Sequence, residues 1–174
     1  MSAAFINSFI LFFVAIDTIG NVPFFLSLTE DVKTKERNNI AIKATIIAFF
    51  ILITFAYGGR YLLEAINVSL DSLKIAGGII LMLLAIDILF EKRKKRREKR
   101  VEEALDEKSF DEIVVFPIAI PFIAGPSALT TIILLIGNYK NFPEFQIPVI
   151  LALVAALVVG LILMIGASHI VKFI

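Results

Sequence analysis

Five long apolar runs, separated by polar connections, set the plan of this chain: about 5 to 28, 40 to 63, 70 to 90, 113 to 137 and 147 to 170. Each is long enough to carry a helix across a hydrocarbon core of roughly 30 Å at about 1.5 Å per residue. The first run is broken in its middle by Ala15-Ile16-Asp17-Thr18-Ile19-Gly20-Asn21-Val22-Pro23. Asp17 falls about 18 Å in from Phe5, near mid-membrane, where a carboxylate costs several kcal/mol unless it is protonated, paired or facing water. Gly20 weakens the helix, Pro23 brings no backbone donor, and Asn21 is a good N-cap. The stretch therefore predicts a helix that stops and restarts, with free N–H groups at the restart aimed toward the membrane centre. Irregular backbone at that depth is tolerated where it lines a cavity or is buried in protein, which makes it a candidate binding site.

The fourth run breaks in a similar way. Pro117, Pro121 and Pro126 with Gly125 rule out a straight helix across it, and Gly125-Pro126 reads as a fresh helix start with the proline in its first turn. Laying Ala15-Ile16-Asp17 over Ala119-Ile120-Pro121 sets Gly20-Asn21-Val22-Pro23 over Ala124-Gly125-Pro126-Ser127 without a gap. With three spans per unit, the second unit enters the membrane the other way up. The predicted fold is an all-α polytopic membrane protein, an inverted 3+3 transmembrane-helix repeat with broken helices in spans one and four. Residues 1–90 form the first three-helix repeat, 91–112 a charged cytoplasmic loop, and 113–174 two of the three helices of the second repeat. The sixth span, counterpart of span three, is expected after Ile174 and is absent from this chain, with truncation, a split chain and a natively short one as the open alternatives. Ala76-Gly77-Gly78 in span three, and Ala152, Ala156 and Gly160 in span five, predict faces where helices approach closely.

Composition supports this plan and narrows the chemistry. Hydrophobic residues make up 59% of the 174 and mean hydropathy is +0.91, too apolar for a soluble domain. With no cysteine and one histidine, disulfides, thiolate metal sites and multi-histidine centres are excluded. Fourteen of the 17 basic residues fall on one side of the predicted membrane and three (Arg60, Lys74, Lys140) on the other. The positive-inside rule makes the fourteen cytoplasmic and leaves the N-terminus outside. Residues 91–112 hold nine basic and eight acidic side chains, a net +1, so no field for nucleic acid is expected there. No enzyme is expected: Asp17 and Asp87, the one pair that suggests an aspartyl dyad, lie at depths differing by about 7 Å or more.

At the two interruptions a family pattern is recognisable. Asp17-Thr18-Ile19-Gly20-Asn21-Val22-Pro23 resembles the Asn-Pro-Ile-Gly-Asn-Ile-Pro signature of the MarC family of integral membrane proteins, also called the small neutral amino-acid transporter family. Ile75-Ala76-Gly77-Gly78-Ile79-Ile80-Leu81 resembles its third-span signature. Phe116-Pro117-Ile118-Ala119-Ile120-Pro121 through Ala124-Gly125-Pro126-Ser127-Ala128 resembles its Phe-Pro-Leu-Ala-Ile-Pro and Ala-Gly-Pro-Gly-Ala signature. The resemblance implies six spans in two inverted halves and, as substrates, glycine, alanine and related small amino acids. The chain departs from the pattern at Asp17, Thr18 and Ser127, where asparagine, proline and glycine are common.

A zwitterionic substrate needs an anion site beside a cation site. The helix starts after Asn21 and after Gly125 suit the carboxylate. Asp17 would pair with the ammonium or carry a coupling proton. Gly20, Ala124, Gly125 and Ser127 leave room for a small side chain only. The expected substrate-binding set is thus Asp17, Thr18, Gly20, Asn21, Pro23, Ala124, Gly125, Pro126, Ser127 and Thr130. At Thr130 and its neighbour Thr131, back-bonding to the helix carbonyl is an equal alternative. The expected activity is alternating-access transport coupled to H+ or Na+, with no further cofactor. The expected partners are a small amino acid and membrane lipids, and not nucleic acid. Homo-oligomerisation, a passive channel or exporter for another small solute, and a structural membrane subunit stay open.

Overall fold

The structure is a computed structural model that describes residues 2–30, 32–89, 113–139 and 142–170. The loop 91–112 and the basic residues Lys140 and Lys172 of the charge count lie outside the described residues. All regular structure among the described residues is helical: α1 (Ser2–Ala15), α2 (Asn21–Leu28), α3 (Thr34–Ala65), α4 (Leu70–Leu89), α5 (Val114–Ile123), α6 (Pro126–Asn138) and α7 (Pro143–Ile170).

Two long helices form the frame. In α3 the buried positions Ile40, Ala41, Ala44, Thr45, Ala48, Leu52, Ala56 and Gly59 recur every three or four residues, the spacing of one helix face. Most are small, so α5, α6 and α7 can lie close against α3. The sequence reading missed this face because alanine at helical spacing is inconspicuous inside an apolar run. At 32 residues α3 is roughly 48 Å long, which exceeds the hydrocarbon thickness. Its polar first turns, Thr34 to Asn39, therefore extend past the apolar layer. On α7, buried Val149, Ala152, Leu153, Ala156 and Leu157 make the complementary face, against which α1, α2 and α3 pack.

The outward faces are as apolar as the inward ones. Ile46, Phe50, Tyr57 and Tyr61 of α3, Ile75, Ile79 and Met82 of α4, and Leu151, Val158 and Ile162 of α7 are all exposed. A surface of this kind is stable in lipid and not in water.

Among the described residues two helices, α3 and α7, are long and apolar enough to cross a membrane unaided, and the bent pair α5–α6 makes a third if taken as one span. This is fewer than the five crossings the sequence predicts. α4 starts at Leu70 as expected, but Asp71, Lys74 and Asp87 leave only the twelve residues from Ile75 to Ile86 free of charge. The run from 5 to 28 is divided into α1 and the short α2.

α5 owes its irregularity to proline. Phe116 (φ −131°, ψ 119°) and Ile120 (φ −129°, ψ 124°) are extended because each precedes a proline, whose ring excludes the helical region for the residue before it. Wide i−5 hydrogen bonding, such as Ala124 N to Ala119 O at 2.9 Å, fills in around them. α6 then leaves α5 at a bend of 57°.

Candidate functional site

The connection from α1 to α2 is a tight run of turns. Asp17 sits at φ 53°, in the left-handed region that aspartate tolerates better than most residues. From there Asp17 N reaches Val14 O (3.0 Å), Thr18 N reaches Phe13 O (3.2 Å), Asn21 N reaches Asp17 O (3.0 Å) and Val22 N reaches Ile19 O (3.2 Å). The chain has thus turned its own carbonyls onto the amides that open α2.

This corrects two expectations. Asn21 is not the N-cap: Gly20 holds that position, without a side-chain cap, and Asn21 is the first residue of α2. Nor does α2 present a row of open amides, since those of Asn21 and Val22 are used and Pro23 has none. α6 differs. Gly125 caps it with extended backbone and no side-chain bond, Pro126 opens it, and no carbonyl among the described residues takes the N–H of Ser127 or Ala128. Of the two starts, only α6 keeps the partial positive charge of an open helix N-terminus.

Freed from capping, the Asn21 amide works across the molecule. Nδ2 donates to Ile16 O (2.7 Å) and to Phe122 O of α5 (3.0 Å). In return, Ser127 Oγ of α6 donates to Ala15 O at the end of α1. Each break sends one polar side chain to a main-chain carbonyl of the other, so the two interruptions meet. Because Nδ2 faces two carbonyl oxygens, the amide cannot be turned the other way round, which would set oxygen against oxygen. Asn21 Oδ1 is consequently left buried with no hydrogen-bond partner among the described residues, on a side chain that is only 5% exposed.

Asn21 lines a small cavity of about 10 Å³, room for one water molecule. Its other polar walls are Thr18 and Thr45, and Ile16 and Ile123 close it from the two breaks. α7 supplies Ala156, Leu157, Gly160 and Met164. Gly160 is where α7 comes closest to the break, since a Cβ there would stand 3.3 Å from Thr18 Cγ2.

Thr18 and Asn21, alone among the expected residues, line this cavity. The Asp17 carboxyl folds against Gly20, occupying the place a Cβ on residue 20 would take. Pro23 and Pro126 are exposed, whereas Ala124 and Gly125 are buried at the bend, Gly125 against Pro121 O. Ser127 serves as a tie, and Thr130 packs its methyl group on Gly77 of α4. The Thr131 hydroxyl is buried without a hydrogen-bond partner among the described residues. The sequence reading missed Thr45, Met164 and the apolar walls. Ala156 and Gly160 were visible as a small-residue face, but their part in a cavity was not.

The model of the family described as MarC family integral membrane protein matches residues 2–174. The chain belongs to the MarC family. It is 41% identical over 160 residues to a UPF0056 membrane protein of Archaeoglobus fulgidus, covering 91% of this chain and 72% of that protein. It is 37% identical to UPF0056 membrane protein MJ0972 of Methanocaldococcus jannaschii (91% and 69% covered). To UPF0056 membrane protein YvbG of Bacillus subtilis it is 34% identical (83% and 69% covered). No solved structure matches the chain.

Proposed function

We propose that this MarC protein is a secondary transporter of small neutral amino acids, of the glycine and alanine class, working by alternating access and coupled to H+ or Na+. The observation that carries this reading is the reciprocal pair of ties from Asn21 and Ser127, which joins two helix breaks beside a cavity containing an unsatisfied buried oxygen. Substrate sites in inverted-repeat carriers form where two discontinuous helices meet. In this reading spans one and four are those helices, in two halves of opposite orientation, with the N-terminus outside and the loop 91–112 cytoplasmic. The open start of α6 receives the substrate carboxylate. Asp17, at the facing break, meets the ammonium or carries a proton. Ala124, Gly125 and Gly20 keep the space between small.

A cavity that admits one water is shut to glycine, so the arrangement corresponds to a closed state from which the bundle opens to one side or the other.

The test is uptake of labelled glycine and alanine into proteoliposomes under imposed H+ or Na+ gradients, with Asp17→Asn in parallel. Saturable uptake that follows one gradient and falls at least several-fold in the variant is the expected outcome. Linear, gradient-independent flux would favour a channel, and no flux of either amino acid would remove the assigned substrate class.

A further inference from the structure

We propose that the two ties between the helix breaks are the two gates of this protein, one toward each face of the membrane; the proposal deepens the transport reading and rests on it.

The atoms joined divide the gates. Ser127 Oγ, in the first turn of α6, donates to Ala15 O at the end of α1. Asn21 Nδ2, at the start of α2, donates to Phe122 O near the end of α5 (3.0 Å). The four arms of the two breaks therefore pair as α1 with α6 and α2 with α5, and the packing of the helices follows the same pairing. Broken runs that cross in opposite directions pair in this way, because the arm entering from one face lies beside the arm leaving through it. α1 and α6 then stand in one half of the membrane, and α2 and α5 in the other. The second pair has a further contact, Phe24 against Phe122, with ring centroids 6.0 Å apart and both side chains buried.

The remaining contacts divide the bundle into two parts. α1 and α2 both pack on α7, whereas α5 and α6 both pack on α3, and α6 carries α4. Besides the ties, the parts meet mainly where α3 lies on α7. The buried face of α3 is mostly small residues, a surface on which a neighbouring helix tilts without disengaging long side chains. The cavity lies on this seam: Ile16, Thr18, Asn21 and its α7 walls belong to one part, Thr45 and Ile123 to the other. A tilt that parts α1 from α6 breaks the Ser127 tie and opens the cavity to one face. The opposite tilt parts α2 from α5, breaks the Asn21 tie with the ring contact, and opens it to the other. With both ties made, the structure is the closed state between the two.

The chain has no native cysteine, so Ala156→Cys places a single thiol on the cavity wall. The experiment measures alkylation of that thiol in the full chain by a small, charged, membrane-impermeant methanethiosulfonate, in right-side-out and in inside-out membrane vesicles. Slow labelling from both faces is expected with the ties intact. Ser127→Ala should raise the rate from the outer face about fivefold, the shift in population that one net hydrogen bond gives, and leave the inner rate unchanged. Asn21→Leu should raise the inner rate alone. Phe24→Leu, which removes the ring contact and keeps Asn21, should do the same and replaces Asn21→Leu if that variant does not fold. Ser27→Ala, which deletes a hydroxyl bonded to Pro23 O on the exposed side of α2, should change neither rate. Rates unchanged in all variants, or raised from the same face or from both faces by Ser127→Ala and Phe24→Leu alike, overturn the proposal. Opposite-sided labelling without uptake of glycine or alanine would keep the gates and remove the assigned substrates. Uptake with unaltered labelling would keep transport and remove the gates.

Discussion

Asn21 shows how far a single side chain can be read from sequence. Its position in a helix break marked it as a candidate site residue, and the structure places it in the wall of a small cavity. Its task was misread, because capping is a local habit of asparagine whereas the bond to Phe122 O spans 101 residues of sequence. Asn21→Leu keeps the volume but removes the donor from both Ile16 O and Phe122 O. It is expected to lower stability by about 2 to 4 kcal/mol, the cost of leaving two buried carbonyls without that partner, as measured by denaturation in detergent. A loss under about 0.5 kcal/mol would mean that water replaces the amide. Thr45 stayed invisible for the opposite reason. A threonine bonded to the carbonyl four residues back is common in apolar helices, and only the arrival of the α1–α2 connection, α2, α5 and α7 beside it turns it into a cavity wall.

Among the elements, breakage was legible and contact was not. Proline and glycine marked both interruptions in the sequence, since their backbone limits are intrinsic. Which helix would lie on which depended on how small residues pair in space. Gly77, in span three's small-residue signature, turned out to receive the methyl group of Thr130, and this contact seats α4 on α6. Thr130, one of the expected substrate-binding residues, makes this packing contact in the structure. Gly77→Ala should therefore cost about 1 to 3 kcal/mol by overpacking, and Thr130→Ser, which removes the opposing methyl, should recover most of it in the double variant. Additive losses would show that α4 yields without Thr130.

For the whole molecule, hydropathy conveyed an all-helical membrane protein and the family pattern conveyed which one. Fewer single helices are long and apolar enough to cross unaided than there are apolar runs, because charges inside α4 and the turns inside the first run interrupt those stretches without lowering average hydropathy much. Sidedness rests on the distribution of lysine and arginine, and the absence of native cysteine makes it directly measurable. Single cysteines in place of Ser69 and of Ala104 should separate cleanly. In intact cells an impermeant maleimide should label Ser69→Cys, and it should label Ala104→Cys only after permeabilisation. The opposite pattern would invert the proposed topology.

The ties between the two breaks have a further property. Both end on main-chain oxygen, at Ala15 and at Phe122, and an oxygen of the backbone is present whatever side chain the residue bears. Half of each tie is therefore written in no letter of the sequence. Residues 15 and 122 can change, within the limits of the space around them, without either latch coming undone, while residues 21 and 127 cannot.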